Sequence, residues 1–428
     1  MTDIFSELKA RGLIAVSTDE ATLKKALNED SLTYYVGFDP TAPSLHMGNL
    51  VQLITASRLQ QTGHNPLALV GGATGLIGDP RMSGERTLNP QEVVEEWVEK
   101  IRAQVEKFLD FSGPNAAQIV NNYEWTSEMS AIDFLRDVGK HFPVNRMLAK
   151  ESVSARLNSE NGISFTEFSY QVLQGNDYLE LNRRYGCSLQ TGGSDQWGNL
   201  TSGVDLIRRV EQKSVHALAT PLITKADGTK FGKTESGTVW LDPSLTSPYA
   251  FSQFWLNADD RDVVKYLKVF SLRSLEEIEA IEADFTAAPH TRVAQKALAE
   301  DVTTLVHGKD SYDQAIAAAS ALFGGGELQS LDPATLGAAT DELPRGEISA
   351  AQLAEGLPVA DAFVTAGIVK SKGEARRAIK DGGAYINNVK VTGEDQTLTA
   401  AEVLPTSGGG VILVRRGKKT LGAVDIVS

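Results

Sequence analysis

The sequence predicts an α/β protein: a doubly wound parallel sheet domain, then an α-helical domain, then a small α+β domain. Three observations carry this. Short apolar runs alternate with helix-period segments through the first half. From about Pro248 to Leu322 the pattern is helical throughout, as in Val293, Ala297, Leu298, Val302 and Leu305. Beyond Pro358 the charge balance changes sign, and short β-like runs follow two helix-like ones.

Taken in order, Tyr34–Phe38 reads as a buried strand, and Gly48–Gln61 as a helix with apolar Leu50, Leu53 and Ile54. Leu67–Val70 is a second strand. Asn89 stands where a cap is expected for a long helix bearing Val94, Trp97, Ile101, Val105 and Phe108. Strand, crossover helix and strand imply a parallel sheet, which binds ligands at the carboxyl ends of its strands. Asp39 to Asn49 lies at one such end. Around Pro221–Thr234 the pattern breaks, and Asp227–Gly228 signals a hairpin turn. Gly324–Gly326 and a stretch rich in Ala, Thr, Pro and Gly, running to about Gly356, read as a linker. Val359–Ala366 and Ser371–Asp381 then read as helices. Ser371 with Glu374 suggests a capping box on the second. Ala384–Ile386, Val389–Val391 and Val411–Val414 read as strands. The expected division is 1–222, a hairpin and loop region 223–247, a helical domain 248–325, a linker 326–357 and a terminal domain 358–428.

Composition narrows the function. The 428 residues suffice for two or three domains with a large core. The first residues, MTDIFSELKARGLIAVSTDE, lack a basic segment followed by an apolar one, so no secretory signal is expected. No apolar run approaches a membrane span; Pro66–Val70 soon meets Gly71–Gly72. One cysteine, Cys187, allows no intrachain disulfide, and a reducing cytoplasm is the expected setting. The net charge of −14 opposes general nucleic-acid binding. From Pro358 onward, however, ten basic side chains face seven acidic ones, a net +3 that leaves −17 for the remainder.

Two stretches carry the chemistry. In FDPTAPSLHMGN, Phe38 to Asn49, a strand gives way to a helix, and a helix start offers free N–H groups and a positive dipole end to phosphate. Gly48 lets a flat group approach the backbone. His46 can donate to phosphate oxygens as charge builds on them. The turn holds no lysine, so cations must come from elsewhere. Alone, this pattern is more often a surface histidine at a capping turn. The second stretch, Lys230–Phe231–Gly232–Lys233–Thr234, supplies two lysines and a hydroxyl suited to pyrophosphate. It is no P-loop: only three residues separate Gly228 from Gly232 where that motif has four, and a hairpin precedes it.

HMGN followed far downstream by KFGKT resembles the paired HIGH and KMSKS signatures of class I aminoacyl-tRNA synthetases. Tyr35 to Gly48, VGGATGLIGDP (Val70 to Pro80), Tyr170 to Asp177, GGSDQWGN (Gly192 to Asn199) and Ala226 to Gly237 all look like the bacterial tyrosyl-tRNA synthetases. The likeness spans essentially the whole chain. Asn49 departs from it by replacing the last histidine of HIGH, and Val36 by standing where many relatives have cysteine. The loop Arg81–Arg86 looks one residue shorter than in many members.

The resemblance implies a Rossmann-like catalytic domain with a dimerisation insertion, an anticodon-side helical domain and an S4-like RNA-binding tail. It implies ATP-driven activation of L-tyrosine to tyrosyl-adenylate and transfer to tRNA(Tyr). Asp177 and Tyr35 would then meet the phenol; Asp79, Tyr170 and Gln174 the ammonium; and Gln196 the carboxylate. Asp39 and Thr41 would lie beside the nucleotide and its γ-phosphate, with His46 on phosphate as well. Gly48 and Asn49 would sit against adenine and ribose, and Asp195 would hold the ribose hydroxyls. Lys230, Phe231, Gly232, Lys233 and Thr234 would close over pyrophosphate, with Arg86 beside them. Arg376, Arg377 and Lys380 would contact tRNA. Mg²⁺ is expected with ATP rather than in a protein cage, and the His/Cys spacing of a structural zinc is absent. A cytoplasmic homodimer with no membrane association follows. The rivals are an inactive RNA-binding relative, and a synthetase for another aromatic amino acid.

Overall fold

The computed structural model describes residues 3–81, 84, 87–159, 162–229, 231–234, 237–323, 326–341, 343–417 and 420–427. Lys230 and Arg86, both expected at the site, lie outside them. The chain forms two compact units, residues 1–242 with 258–294, and residues 243–257 with 295–428.

The first unit is built on strands β1 (Val16–Ser17), β2 (Thr33–Phe38), β3 (Asn65–Val70), β4 (Gln118–Asn121), β5 (Leu189–Gly193) and β6 (His216–Thr220). Their order is β1-β6-β5-β2-β3-β4, with every pair parallel except β1 against β6. The chain runs outward from β2 through β3 to β4, then crosses back to β5 on the other side of β2. That reversal makes the β2/β5 junction a switch point, where neighbouring loops diverge and leave a crevice. The strand and helix expectations for Tyr34–Phe38, Leu67–Val70 and Gly48–Gln61 fall within a residue or two of what forms. The helix Met47–Gln61 is buried nearly all round, including Leu50, Val51, Leu53, Ile54 and Leu59.

Two local expectations are corrected. The helix Gln91–Val105 starts one residue later than Asn89 would cap it; Pro90 holds the N-cap position, its fixed φ fitting the entry without a side-chain bond. Ser371 does cap Lys372–Lys380 by accepting from the Glu374 N–H, but Glu374 reaches back to the Lys370 N–H, leaving the box half-formed. The Asp227–Gly228 turn forms as expected: the Gly228 N–H donates to Lys225 O (2.9 Å) and the Lys225 N–H to Thr229 O (3.2 Å).

In the second unit, helices Pro248–Leu256, Val293–His307 and Lys309–Leu322 accompany a sheet whose centre is the strand pair Gly409–Arg416 and Thr420–Val427. Residues 326–357, expected as a linker, are built into this unit. Pro333–Thr340 is a helix, and Arg345–Ser349 is a strand parallel to Thr420–Val427. The reason lies in strand alternation. Along Val411–Val414, Ile412 and Val414 join a core with Phe363 and Ile379 from the helices Val359–Thr365 and Lys372–Lys380. Val411 and Leu413 face the other way, onto Leu322, Leu328, Leu331 and Leu336. A strand apolar on both faces needs two covering layers, and the leucines of 326–341 supply the second.

Candidate active site

Four loops at the carboxyl ends of β2, β3, β4 and β5 build the site, as the sheet rule demands. Across β2, side chains come from the helix Phe165–Tyr185. Ser164 caps its start, and Gly186, in the left-handed conformation, ends it. Tyr170, Gln174 and Asp177 recur at spacings of four and three and so share one face.

Asp177 is 1% exposed. One carboxylate oxygen accepts from Trp125 Nε1 and the other from Asn122 Nδ2, both at 2.9 Å. Burial pushes its pKa up to about 7, against the pull of those two donors and with further upward pressure from Asp39 and Glu180. Tyr35 lies close enough to feel this carboxylate; burial first, then Asp177, raise its phenol pKa. Its hydroxyl finds no hydrogen-bond partner among the described residues, nor does Oε1 of buried Gln190. Gln190 pairs in register with Tyr35 on β5, so the two side chains leave the sheet on the same face. An orphaned hydroxyl within electrostatic reach of a buried carboxylate, with an orphaned amide oxygen paired beside it on β5, suits a ligand carrying a hydroxyl.

The floor connects to the nucleotide side. Asn122 Nδ2 also donates to Thr74 Oγ1 (2.8 Å), Thr74 Oγ1 donates to Asp39 Oδ1 (2.7 Å), and the Tyr170 hydroxyl donates to Asp39 Oδ2 (2.6 Å). Burial and the charges of Asp39, Asp79 and Asp177 hold the Tyr170 phenol protonated. Asp79 accepts from Gln196 Nε2 (3.0 Å) and Asn199 Nδ2 (3.2 Å). Gln174 is half-buried on the same helix face, and Asp195 is exposed at the lip with Gln196 Nε2 at 3.5 Å.

The HMGN turn has a sharper local logic than the sequence suggested. His46 is itself the N-cap of Met47–Gln61: its Nδ1 accepts from the Gly48 N–H (3.1 Å), while Asn49 Oδ1 accepts from the His46 N–H (3.0 Å). Because Nδ1 accepts, the neutral ring carries its proton on Nε2, the outward nitrogen. Packing around the ring and then the charge of Lys233 lower its pKa, which favours that neutral form. A Cβ at position 48 would meet His46 Cε1 at 2.9 Å, so any larger residue there would push the capping imidazole aside. Thr41 is exposed, its N–H folded back on Asp39 O at 2.8 Å.

The second signature is brought to the first. His46 pairs with Trp240 in an antiparallel bridge, and the Leu241 N–H donates to Leu45 O (2.9 Å). Gly232, at φ +76°, rests on Met47: a Cβ there would be 2.8 Å from Met47 Cβ. The Phe231 ring is an anchor, tilted against Tyr266 at 4.9 Å and stacked on Phe270 at 5.4 Å. Lys233 and Thr234 form a short strand paired with Gly237–Thr238, and Lys233 is exposed. Arg376, Arg377 and Lys380 belong to the second unit, exposed along Lys372–Lys380 and without an ion pair among the described residues.

Sequence reasoning passed over Thr74, Asn122, Trp125, Lys150, Gln190 and Asn199. Thr74 and Asn199 lie inside stretches quoted for their likeness to known enzymes. Asn122 and Trp125 follow β4, a strand too short and polar to read from its pattern.

A parallel sheet with its crevice at the switch point, and HMGN joined to KFGKT across it, is the architecture of a class I aminoacyl-tRNA synthetase. The profile of the class I tRNA synthetases for tryptophan and tyrosine matches residues 27–324, and the chain belongs to this family. The profile of the tyrosine–tRNA ligase C-terminal domain matches residues 337–423. The tyrosine–tRNA ligases of Streptomyces avermitilis and Streptomyces coelicolor are 63% and 60% identical over 427 residues, covering 100% of this chain and 99% of each relative. The C-terminally truncated mitochondrial tyrosyl-tRNA synthetase of Aspergillus nidulans superposes with a TM-score of 0.67 at 29% identity, over 74% of this chain and 92% of that one.

Proposed function

We infer that the chain is a tyrosine–tRNA ligase, which activates L-tyrosine with ATP and passes the tyrosyl group to the 3′ end of tRNA(Tyr). The observation that supports this most strongly is the pocket floor. A buried carboxylate, fixed by Asn122 and Trp125, lies within electrostatic reach of a tyrosine hydroxyl that has no partner among the described residues. A substrate phenol donates to Asp177 and exchanges hydrogen bonds with Tyr35. A phenyl ring leaves both groups unsatisfied, which penalises phenylalanine.

Asp79, Tyr170 and Gln174 then take the substrate ammonium, and Gln196 orients its carboxylate. That carboxylate is already a nucleophile, so no general base is needed. It attacks the α-phosphorus of ATP in line; the bond to the bridging oxygen breaks and pyrophosphate leaves. The protein contributes alignment and charge stabilisation. Nε2–H of His46 donates to phosphate oxygens, Gly48 and Asn49 lie under the nucleoside, and Asp195 accepts from the ribose. Asp39 and Thr41 border the phosphates, while Lys230, Lys233 and Thr234 close over pyrophosphate on the loop that Phe231 and Gly232 hold down. Among the described residues no group of three or more His, Cys, Asp or Glu could hold a metal. Mg²⁺ would arrive on the ATP phosphates and keep water as its other ligands.

Arg376, Arg377 and Lys380, without an ion pair among the described residues, offer a basic face to tRNA phosphates on an S4-like domain. No helix among the described residues is long and apolar enough to cross a membrane; we place the enzyme in the cytoplasm. Ile132, Leu135, Val144 and Leu148 are exposed within one short stretch, which supports pairing of two copies there.

The test is ATP–pyrophosphate exchange. Exchange should require tyrosine, ignore tryptophan and phenylalanine, and fall to background in Asp177→Ala. A lack of exchange with every amino acid tried would leave only the inactive RNA-binding reading.

A further inference from the structure

Lys150 has no place in the reaction just described, yet its ammonium sits in the site. Its side chain is only 12% exposed. The stem runs along Gly198, with Cγ, Cδ and Cε at 3.5–3.6 Å from the position of a Cβ on that residue. Nζ donates to Oδ1 of fully buried Asn199 at 2.7 Å and stands 3.5 Å from Asp79 Oδ1. Asp79 accepts at the same time from Asn199 and Gln196. The lysine head is therefore a primary ammonium held by a carboxylate and an amide oxygen. It carries the same charge and the same three donors as the α-ammonium that Asp79 is inferred to take.

We propose that Lys150 is a built-in competitor for the substrate ammonium: it neutralises Asp79 in the empty pocket and yields that carboxylate when tyrosine binds. This rests on the reading of Asp79 as the ammonium acceptor. The physical reason for such a device is that Asp79, with side-chain exposure of 18%, gains from an ammonium held beside it. The displaced head has somewhere to go. Lys150 also lines a cavity of about 260 Å³ together with Ser202, Thr201 and Asp205, so its stem can turn into that cavity, where Asp205 already holds Arg146 and Arg208. Lys150 is thus a positioning residue that sets how much of the ammonium–Asp79 attraction appears as tyrosine affinity.

The experiment uses the full chain and two ligands: tyrosine, and 3-(4-hydroxyphenyl)propanoate, which lacks only the amine. Their affinity ratio is measured by equilibrium titration in the unaltered protein, Lys150→Met and Lys150→Arg. The amine-free acid has no ammonium to offer Asp79, so its binding also reports that each variant is folded. In Lys150→Met the preference for tyrosine should rise about fivefold, the scale of one partly exposed ion pair; Lys150→Arg should keep the original ratio. An unchanged or smaller ratio in Lys150→Met overturns the proposal. Asp79→Asn separates the two levels: the ratio should collapse toward one. If it does not, the assignment of Asp79 fails and the Lys150 proposal with it.

Discussion

At the scale of single residues, Asp177 carries the selection inferred above. Its pKa of about 7 in the empty pocket reflects burial only partly offset by Asn122 and Trp125. A phenol donating to it adds a third hydrogen bond to the ionised form and lowers that value. Tyrosine therefore binds the carboxylate better than the acid. Affinity should rise as pH increases through about 7, and binding just below neutrality should release a proton. Calorimetry in buffers of different ionisation heat measures that proton directly; a heat independent of buffer would remove Asp177 from the phenol. The same shift acts on folding with its own sign. The folded pKa lies above the unfolded carboxylate value, so Asp177 favours the unliganded fold most below about pH 4. That contribution is lost as pH rises through about 7.

At the scale of one element, His46 caps its helix and, in the proposed reaction, also serves the substrate. Its Nδ1 closes the start of Met47–Gln61, which leaves Nε2–H for phosphate. The roles separate by substitution. His46→Asn keeps a side-chain oxygen able to cap, so thermal stability should hold while tyrosine-dependent exchange falls about 10²- to 10³-fold, the usual loss of one transition-state donor. His46→Ala should show a similar rate loss plus a destabilisation of about 1 kcal/mol, the typical value of an N-cap. Equal melting temperatures for the two variants would mean that the cap contributes nothing.

At the scale of the whole molecule, residues 326–357 fold with the C-terminal sheet. Leu328, Leu331 and Leu336 bury against Val411, Leu413 and Leu421, and Arg345–Ser349 has Thr420–Val427 as its strand partner. A chain ending at 357 would expose those leucines and an unpaired strand edge. It should aggregate on mild heating, as light scattering would record, even though every residue inferred to bind tyrosine and ATP is still present. In the intact chain, replacing Arg376, Arg377 and Lys380 with alanine should leave amino-acid activation alone. It should raise the KM for tRNA and flatten its salt dependence, by up to about 0.9 in log–log slope for each phosphate that is no longer neutralised. An unchanged slope would place the RNA elsewhere.

Much of this protein is written locally. The strands Tyr34–Phe38 and Leu67–Val70, the helix after HMGN, the Asp227–Gly228 turn and the reversed charge beyond Pro358 all follow from periodicity, turn chemistry and composition, which depend on near neighbours in the chain. So do the residue types of the two signatures. Other features depend on what lies opposite in space, which no local pattern records. Composition made 326–357 a linker because it counts small residues and ignores the sheet face its leucines cover. Asn122 and Trp125 matter only because β4 ends beside Asp177. His46 reads as a surface histidine until Gly48 and Asn49 turn it into a cap. Lys150 is an ordinary lysine in the sequence, and only folding sets its ammonium beside Asp79.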